Sequence, residues 1–506
     1  MTNRTLSLLI AVAVLLLGAC TPQDPYNQSL GDFSASNQVD LTIPTPTPLP
    51  TRPVYIPGEL VEYNAQSGDT LPALAAHFNT TVQEILDANP IIPTGVTTLP
   101  PGLPMQIPIY YRNFWGAVYQ IIPDSHFVNG PAAVSFDTTR FVFQNDGWLK
   151  NYIEYAAGEN RSGAEIIDYV AQSYSISPRV LLSMSEYLGG ALSSPTLPEE
   201  SATYPLGYRN YYYRGFYRQL LWVANQLNNG YYGWRKGELV EFELPDSTLE
   251  RPDPWQNAAS VSLHYLFSTL LPIEQYHHSV SPMGYAQTYE SLFGTPWETG
   301  EPHIPGSLTQ PGLILPFEPG KVWAFTGGPH TGWGSGTPWA ALDFAPASET
   351  TGCFISDQWA TAVGPGIVAR AEPGFLVLDM DMDGDDRTGW AIFYLHLAGR
   401  DMIPQGSVVE AGDFLGHPSC EGGTATGTHI HVARKYNGEW IIADSVLPFV
   451  MEGWVPKDGS APYEGTLTRF ERTVTACVCA SQETNIFATG NPNGVIQPTP
   501  TEEPIP

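Results

Sequence analysis

The pattern of apolar and polar positions changes character several times along the chain. Residues 5–19 (TLSLLIAVAVLLLGA) form a continuous apolar run after the basic Arg4, too short for a normal membrane span. From residue 59 the apolar positions take helical spacing: Leu74, Ala75 and Phe78, then Val82, Ile85 and Leu86. Thr80 or Thr81 can cap the second of these two short helices, and LPMQIP (103–108) closes the stretch as a strand. Helical spacing returns at Ile166, Ile167, Val170 and Tyr174, again after Ser177-Pro178, and at Leu220, Trp222, Val223 and Leu227. A further helix is predicted from Trp255 to Leu271. Beyond residue 305 the runs become short and are bounded by Gly, Pro and Asp, as in GIVARA, FLVLDM and WAIFYLHLA, which predicts an antiparallel sheet.

These changes divide the 506 residues into a multidomain α+β protein. A signal peptide covers 1–20, and a Pro-rich spacer containing IPTPTPLPTRP covers 21–58. A small βααβ domain follows at 59–110, then a mainly helical domain at 111–305, an antiparallel β-rich domain at 306–482 and a disordered tail at 483–506. Hydrophobic residues at 42% against 14% charged indicate globular domains, while 48 Gly and 47 Pro indicate many turns and a linker. The 22 basic and 51 acidic residues give a net charge of −29, a field that repels phosphate backbones, so no nucleic-acid partner is expected.

The segment Leu17-Gly18-Ala19-Cys20 resembles a bacterial lipobox, whose cysteine is acylated and becomes the mature N-terminus. That resemblance implies an extracytoplasmic protein attached to the membrane by a lipid anchor; the other reading is a secretory signal cleaved near Ala19. Lipidation of Cys20 would leave Cys353, Cys420, Cys477 and Cys479, with three possible pairings. Cys353 and Cys420 both fall in the β-rich domain, which favours that disulfide. Cys477 and Cys479 would close a very short ring and are left open.

Candidate chemistry is concentrated in the β-rich domain. His330 lies in GGPHTGWGSG, His396 in FYLHLAG, and His429 and His431 in GTHIHVA. Residues two apart on a strand share a face, so His429 and His431 are expected to point together, as are Tyr394 and His396. With Asp343 in AALDFAP, the chain offers imidazole and carboxylate donors of the type zinc accepts. The remaining histidines, 77, 126, 264, 277, 278, 303 and 417, are left unassigned. The run from Asp379 to Asp385 begins like a calcium loop, but Trp390 stands where such a loop needs a bidentate Glu, so a polar hairpin turn is expected. The aromatic cluster at Tyr211, Tyr212, Tyr213, Phe216, Tyr217, Tyr231, Tyr232 and Trp234 suits a core more than a sugar-stacking surface.

Two stretches carry family resemblances. Tyr63, Gln66-Ser67-Gly68-Asp69-Thr70-Leu71 and the helical spacing through Asn89 resemble a LysM domain, whose family binds N-acetylglucosamine-containing glycans such as peptidoglycan or chitin. The His/Asp set resembles the lysostaphin-type zinc endopeptidases. In their commoner branch a His stands four residues before the Asp, whereas here that position is Trp339. The beta-lytic or staphylolysin branch instead places its first His well upstream in a Gly/Ser-rich loop, as His330 stands here. This resemblance implies one Zn2+ held by His330, Asp343 and His431, with His429 transferring protons and His396 supporting the oxyanion. It implies a wall-tethered endopeptidase acting on peptidoglycan cross-links. The rival is a non-catalytic peptidoglycan-binding scaffold that recruits or activates another hydrolase. A third reading rests on Leu181-Leu182-Ser-Met-Ser-Glu186, which resembles the entry to the catalytic helix of lysozyme-like transglycosylases and would make Glu186 a general acid.

Overall fold

The structure, a computed structural model, describes residues 52–479 and 481–493. The apolar leader with Cys20, nearly all of the Pro-rich spacer and the end of the tail lie outside the described residues. Among the described residues no helix is long and apolar enough to cross a membrane.

Residues 59–110 fold as β1 (Glu59–Asn64), α1 (Leu71–His77), α2 (Val82–Ala88) and β2 (Pro104–Ile109). The two strands pair antiparallel with Glu59 opposite Ile109 and Asn64 opposite Pro104. Thr70 caps α1 by accepting from the Ala73 amide, and Pro72 sits in the first turn, where it has no intrahelical N–H to lose. Of the two candidate caps for α2, Thr81 does the work, in a reciprocal box with Glu84. Leu74, Phe78, Ile85, Leu99 and Ile107 are fully buried at the centre.

The helical domain is organised around α3 (Gly163–Tyr174), α4 (Pro178–Gly189), the long α5 (Phe216–Lys236) and α6 (Ala258–Leu270). Helix α6 starts three residues later than the predicted Trp255, because the side chain of Asp253 takes the Trp255 amide in a turn. Phe216, Tyr231, Tyr232 and Trp234 are buried in the core, whereas Tyr211 and Tyr212 are 66% and 73% exposed. Most of the aromatic cluster is therefore core, as expected. Glu186 accepts hydrogen bonds from the Leu192 and Ser193 amides and from Ser193 Oγ. It fastens the turn after α4.

The β-rich domain is built on a nine-stranded sheet, antiparallel throughout. Its strands are β3 (Val322–Thr331), β4 (Trp339–Pro346), β5 (Gly366–Glu372), β6 (Gly374–Asp379), β7 (Trp390–Leu397), β8 (Val408–Val409), β9 (Ile430–Tyr436), β10 (Glu439–Trp440) and β11 (Asn485–Phe487). The order is β8-β5-β6-β7-β9-β4-β3-β11, with β10 on β9. Both faces are covered. Ile392, Tyr394, Ile430 and Val432 join one core with Phe317, Trp323 and Trp454. Ala391, Phe393, Leu395 and Ala433 face the other way and pack with the helical domain. This double burial is why WAIFYLHLA reads as an unbroken apolar run and not as a strict alternation.

A buried charged node ties three regions together. Arg235 on α5 meets Asp124 at 3.0 Å and Glu439 at 3.1 Å, and donates to the Ser67 carbonyl at 2.6 Å. Glu439 also takes the Tyr231 hydroxyl and meets His303 Nε2, both at 2.7 Å. Burial alone would raise the Glu439 carboxyl; Arg235 and His303 hold it down to about 2.

Two expectations change and one pairing left open is resolved. Residues 483–493 are not a disordered tail: β11 pairs with β3, Ile486 is buried, and Glu452 takes the amides of Thr489 and Gly490. Buried Glu452 needs those donors, and they fix the backbone there. Cys477 and Cys479 are joined to each other, alongside the expected Cys353–Cys420 disulfide. Tyr394 and His396 do not share a face, as described below. The Asp379–Asp385 run forms the predicted hairpin turn between β6 and β7. Asp379 takes the amides of Asp381 and Gly384, and Asp383 takes that of Asp385.

Candidate metal and catalytic centre

Asp343 on β4 and His431 on β9 are direct cross-strand partners, so sheet register alone puts their side chains side by side on the face toward the helical domain. His330 reaches the same spot from the far end of β3, where the pairing with β4 shifts between Gly327, His330 and Thr331. The bulged strand bends there and re-aims His330. Gly327 makes room: a Cβ in its place would lie 2.5 Å from Asp343 Oδ2.

His330 Nε2 lies 3.2 Å and His431 Nδ1 3.3 Å from Asp343 Oδ1, and the two nitrogens are 2.9 Å apart. All three side chains are buried. The opposite nitrogen of each ring is taken by a carbonyl: His330 Nδ1 donates to Gly328 O at 2.8 Å, and His431 Nε2 donates to Gly332 O at 3.0 Å. This assignment of the ring protons, made from the hydrogen-bond partners, turns two lone pairs and a carboxylate oxygen toward one point. Asp343 Oδ1 has no hydrogen-bond partner although buried. Burial pushes its carboxyl up, but His330, His431 and His429 outweigh that and hold it well below the usual range. Burial also lowers His431, favouring the neutral ring a ligand requires. Three buried donors of this kind, with no donor hydrogen among them, fit a borderline divalent cation such as zinc.

His429 precedes β9 and joins the cluster as expected, with Nε2 3.7 Å from Asp343 Oδ2 and Nδ1 donating to Gly427 O at 2.8 Å. His396 arrives by a route that strand alternation does not foresee. Its φ is +69°, and β6–β7 pairing shifts beside it. The kink turns His396 to the helical-domain side, its ring 4.5 Å from that of His429, while Tyr394 points into the opposite core and accepts from the Val363 amide. His396 Nδ1 donates to Glu421 O at 2.9 Å. Burial and the adjacent His429 pull His396 down to about 4, so its free Nε2 is an acceptor at neutral pH. The five groups thus form a ligand-type trio with two further imidazoles beside it, an arrangement suited to proton transfer next to a Lewis acid.

Three further residues at the centre escaped sequence reasoning. Tyr463 stacks on His330 with ring centroids 4.1 Å apart, while remaining 54% exposed. Asn225 and Asn229 on α5 accept the amides of Ser335 and Thr337 at 2.8 and 2.9 Å, and so fix the glycine-rich loop after His330 from the helical domain. Each is far from the His/Asp motifs in sequence, and no local pattern marks them. Cys353–Cys420 is nearby: the Gly352 carbonyl accepts the Thr428 amide, one residue before His429. The other histidines are elsewhere. His417 Nδ1 donates to Gln358 O, His77 stacks on Trp234, His126 and His264 each contact a tyrosine hydroxyl, and His303 is in the Glu439 node. His277 and His278 sit on the short helix Ile273–Ser279.

Residues 63–108 match the LysM domain family, and residues 120–307 match a family described as the LasA N-terminal domain. Over 339 residues the chain is 28% identical to Protease LasA of Pseudomonas aeruginosa, a span of 63% of this chain and 74% of that protein. Among solved structures, pseudoalterin, described as an M23 metalloprotease from the deep sea, is 24% identical, with 34% of this chain and 96% of that one covered and a TM-score of 0.28. The catalytic domain of lysostaphin from Staphylococcus simulans is 21% identical, with 24% and 86% covered and a TM-score of 0.17. The chain thus carries a LysM domain and a LasA N-terminal domain, and over 339 residues it is similar to Protease LasA.

Proposed function

We propose that the chain is a zinc endopeptidase that hydrolyses peptide bonds of peptidoglycan cross-links, working outside the cytoplasm from a lipid anchor on Cys20. The observation that carries the reading is the convergence of His330 Nε2, Asp343 Oδ1 and His431 Nδ1, all within 4.8 Å of one another, with Asp343 Oδ1 buried and unpartnered. These three residues would hold the ion. Bound there, zinc supplies a Lewis acid and brings the pKa of water toward neutrality.

The chain's own groups do the rest. His429 accepts the proton of the attacking water at Nε2, its Nδ1 being committed to Gly427 O, and returns it to the departing amine. His396, neutral and oriented by Glu421 O, stands beside it to support the oxyanion of the tetrahedral intermediate. Residues 59–110 hold the enzyme on the glycan, which raises the local concentration of stem peptides around residues 306–482.

The test is incubation of the zinc-loaded chain with isolated cell walls, following turbidity and free amines together, with mass spectrometry of the released fragments. Clearing with new amino termini on stem or bridge peptides is expected. Wall binding without clearing and without new amines would overturn the reading and leave a scaffold.

A further inference from the structure

A recess, away from the His/Asp cluster, opens between the LysM domain and the helical domain. Its volume is about 1300 Å³, above the roughly 300–1,000 Å³ usual for small-molecule pockets, so it suits an oligomer. One wall carries Asn64, Gln66 and Gln106, and the other Tyr119, Gln120 and Trp297. Amides and aromatic rings thus dominate both sides. Of the two charged residues lining it, Arg52 is paired with Asp253 at 2.8 Å, which leaves Glu62. Such a surface does not suit a phosphate or a polyanion. It suits a neutral polymer with flat C–H faces for stacking and hydroxyl or acetamido groups for the Asn64 and Gln106 amides.

The walls are preassembled by hydrogen bonds across the domain boundary. Gln66 Nε2 donates to Trp255 O at 3.0 Å, Gln120 Nε2 donates to the same carbonyl at 2.8 Å, and Trp255 Nε1 donates to Glu62 O at 3.0 Å. A ligand entering the recess would not have to order them first, which lowers the entropic cost of binding. Elsewhere on the LysM domain, the loops at Ser67 and at Thr97–Thr98 are already occupied by this chain. Ser67 Oγ takes the Ile304 amide, Thr98 Oγ1 donates to Pro305 O, and Thr97 Oγ1 donates to Leu308 O. Those loops are committed to the segment 303–308, whereas the recess faces solvent through Trp297, which is 43% exposed.

We infer that the glycan-binding site of this protein is this composite recess, shared between the LysM domain and the helical domain, with Trp297 as a stacking platform for a β-linked N-acetylhexosamine strand. The inference rests on the glycan-binding reading of residues 59–110 and adds that the helical domain supplies half of the site.

Titration calorimetry of the full chain with the hexamer of β-1,4-linked N-acetylglucosamine tests it. Trp297 lies in the exposed turn Pro296–Glu298, so its replacement spares the core. Trp297→Ala is expected to weaken binding roughly tenfold or more, and Trp297→Tyr to recover most of the loss. Ile91→Ala, on LysM surface outside the recess and 79% exposed in the parent, should bind as the parent does. Equal affinity of the parent and Trp297→Ala would overturn the composite site while leaving glycan binding intact. Failure of the parent to bind both the hexamer and isolated cell walls would overturn the glycan-binding reading itself, and this inference with it.

Discussion

His330 Nε2 and His431 Nδ1 face each other across 2.9 Å, each with its other ring nitrogen donating to a backbone carbonyl. With the ring protons assigned to those carbonyls, the two facing nitrogens oppose lone pair to lone pair, beside the unpartnered oxygen of Asp343. A buried cluster of acceptors without a donor is costly unless a cation sits among them. The geometry around these two rings is therefore the strongest physical ground for a metal centre.

In the proposed mechanism the imidazoles beside the trio have a different task from the ligands, and the difference is measurable. His429→Ala removes an acceptor 3.7 Å from Asp343 Oδ2 without removing a ligand. It should keep its zinc by elemental analysis and lose about 10²–10⁴-fold in the rate of amine release. His396→Ala should behave in the same way. Loss of metal in either variant would move that residue into the ligand set.

Acid should loosen the contact between the LysM domain and α5. His77 is stacked on Trp234 with ring centroids 3.4 Å apart, and burial together with Arg235 pulls it down to about 3, against the bond to the Trp234 carbonyl. Its folded pKa lies below the unfolded value, so the unfolded chain binds more protons between the two. Stability should be complete above about pH 6.5 and fall as pH drops toward 3, by about 2 kcal/mol near pH 5. His77→Phe keeps the stack, and the Trp234 carbonyl retains the Gly237 amide as a partner. Its thermal midpoint should change less than the parent's between pH 7 and pH 5; an identical acid slope would exclude His77 as the source.

The Cys353–Cys420 disulfide closes a loop spanning 67 positions, and chain-entropy arguments give it roughly 4 kcal/mol. The Cys353→Ser/Cys420→Ser variant should unfold at lower denaturant concentration. Because Gly352 O holds the Thr428 amide next to His429, activity should also fall below the denaturation midpoint. Unchanged activity under native conditions would show that the strand holds His429 without the bridge.

Much of this centre is legible in the sequence because strand periodicity is local. The pair His429 and His431 converges as the two-residue repeat requires, and Asp343 falls opposite His431 through register. The same rule misplaces Tyr394 relative to His396, because a left-handed backbone at His396 breaks the repeat at that residue. Tyr463, Asn225 and Asn229 were invisible for another reason: they meet the centre through tertiary packing, across more than a hundred residues in the case of the asparagines. Residues 483–493 read as tail by composition, yet the buried carboxylate of Glu452 demands donors and takes them from that segment.

The most direct test of the metal centre is the zinc content of the purified chain beside that of His431→Ala, with amine release from peptidoglycan measured on the same samples. About one zinc per parent chain is expected, with metal and activity both lost in the variant and the fold retained by circular dichroism. A folded His431→Ala protein that kept its zinc and cleaved as the parent does would contradict the account.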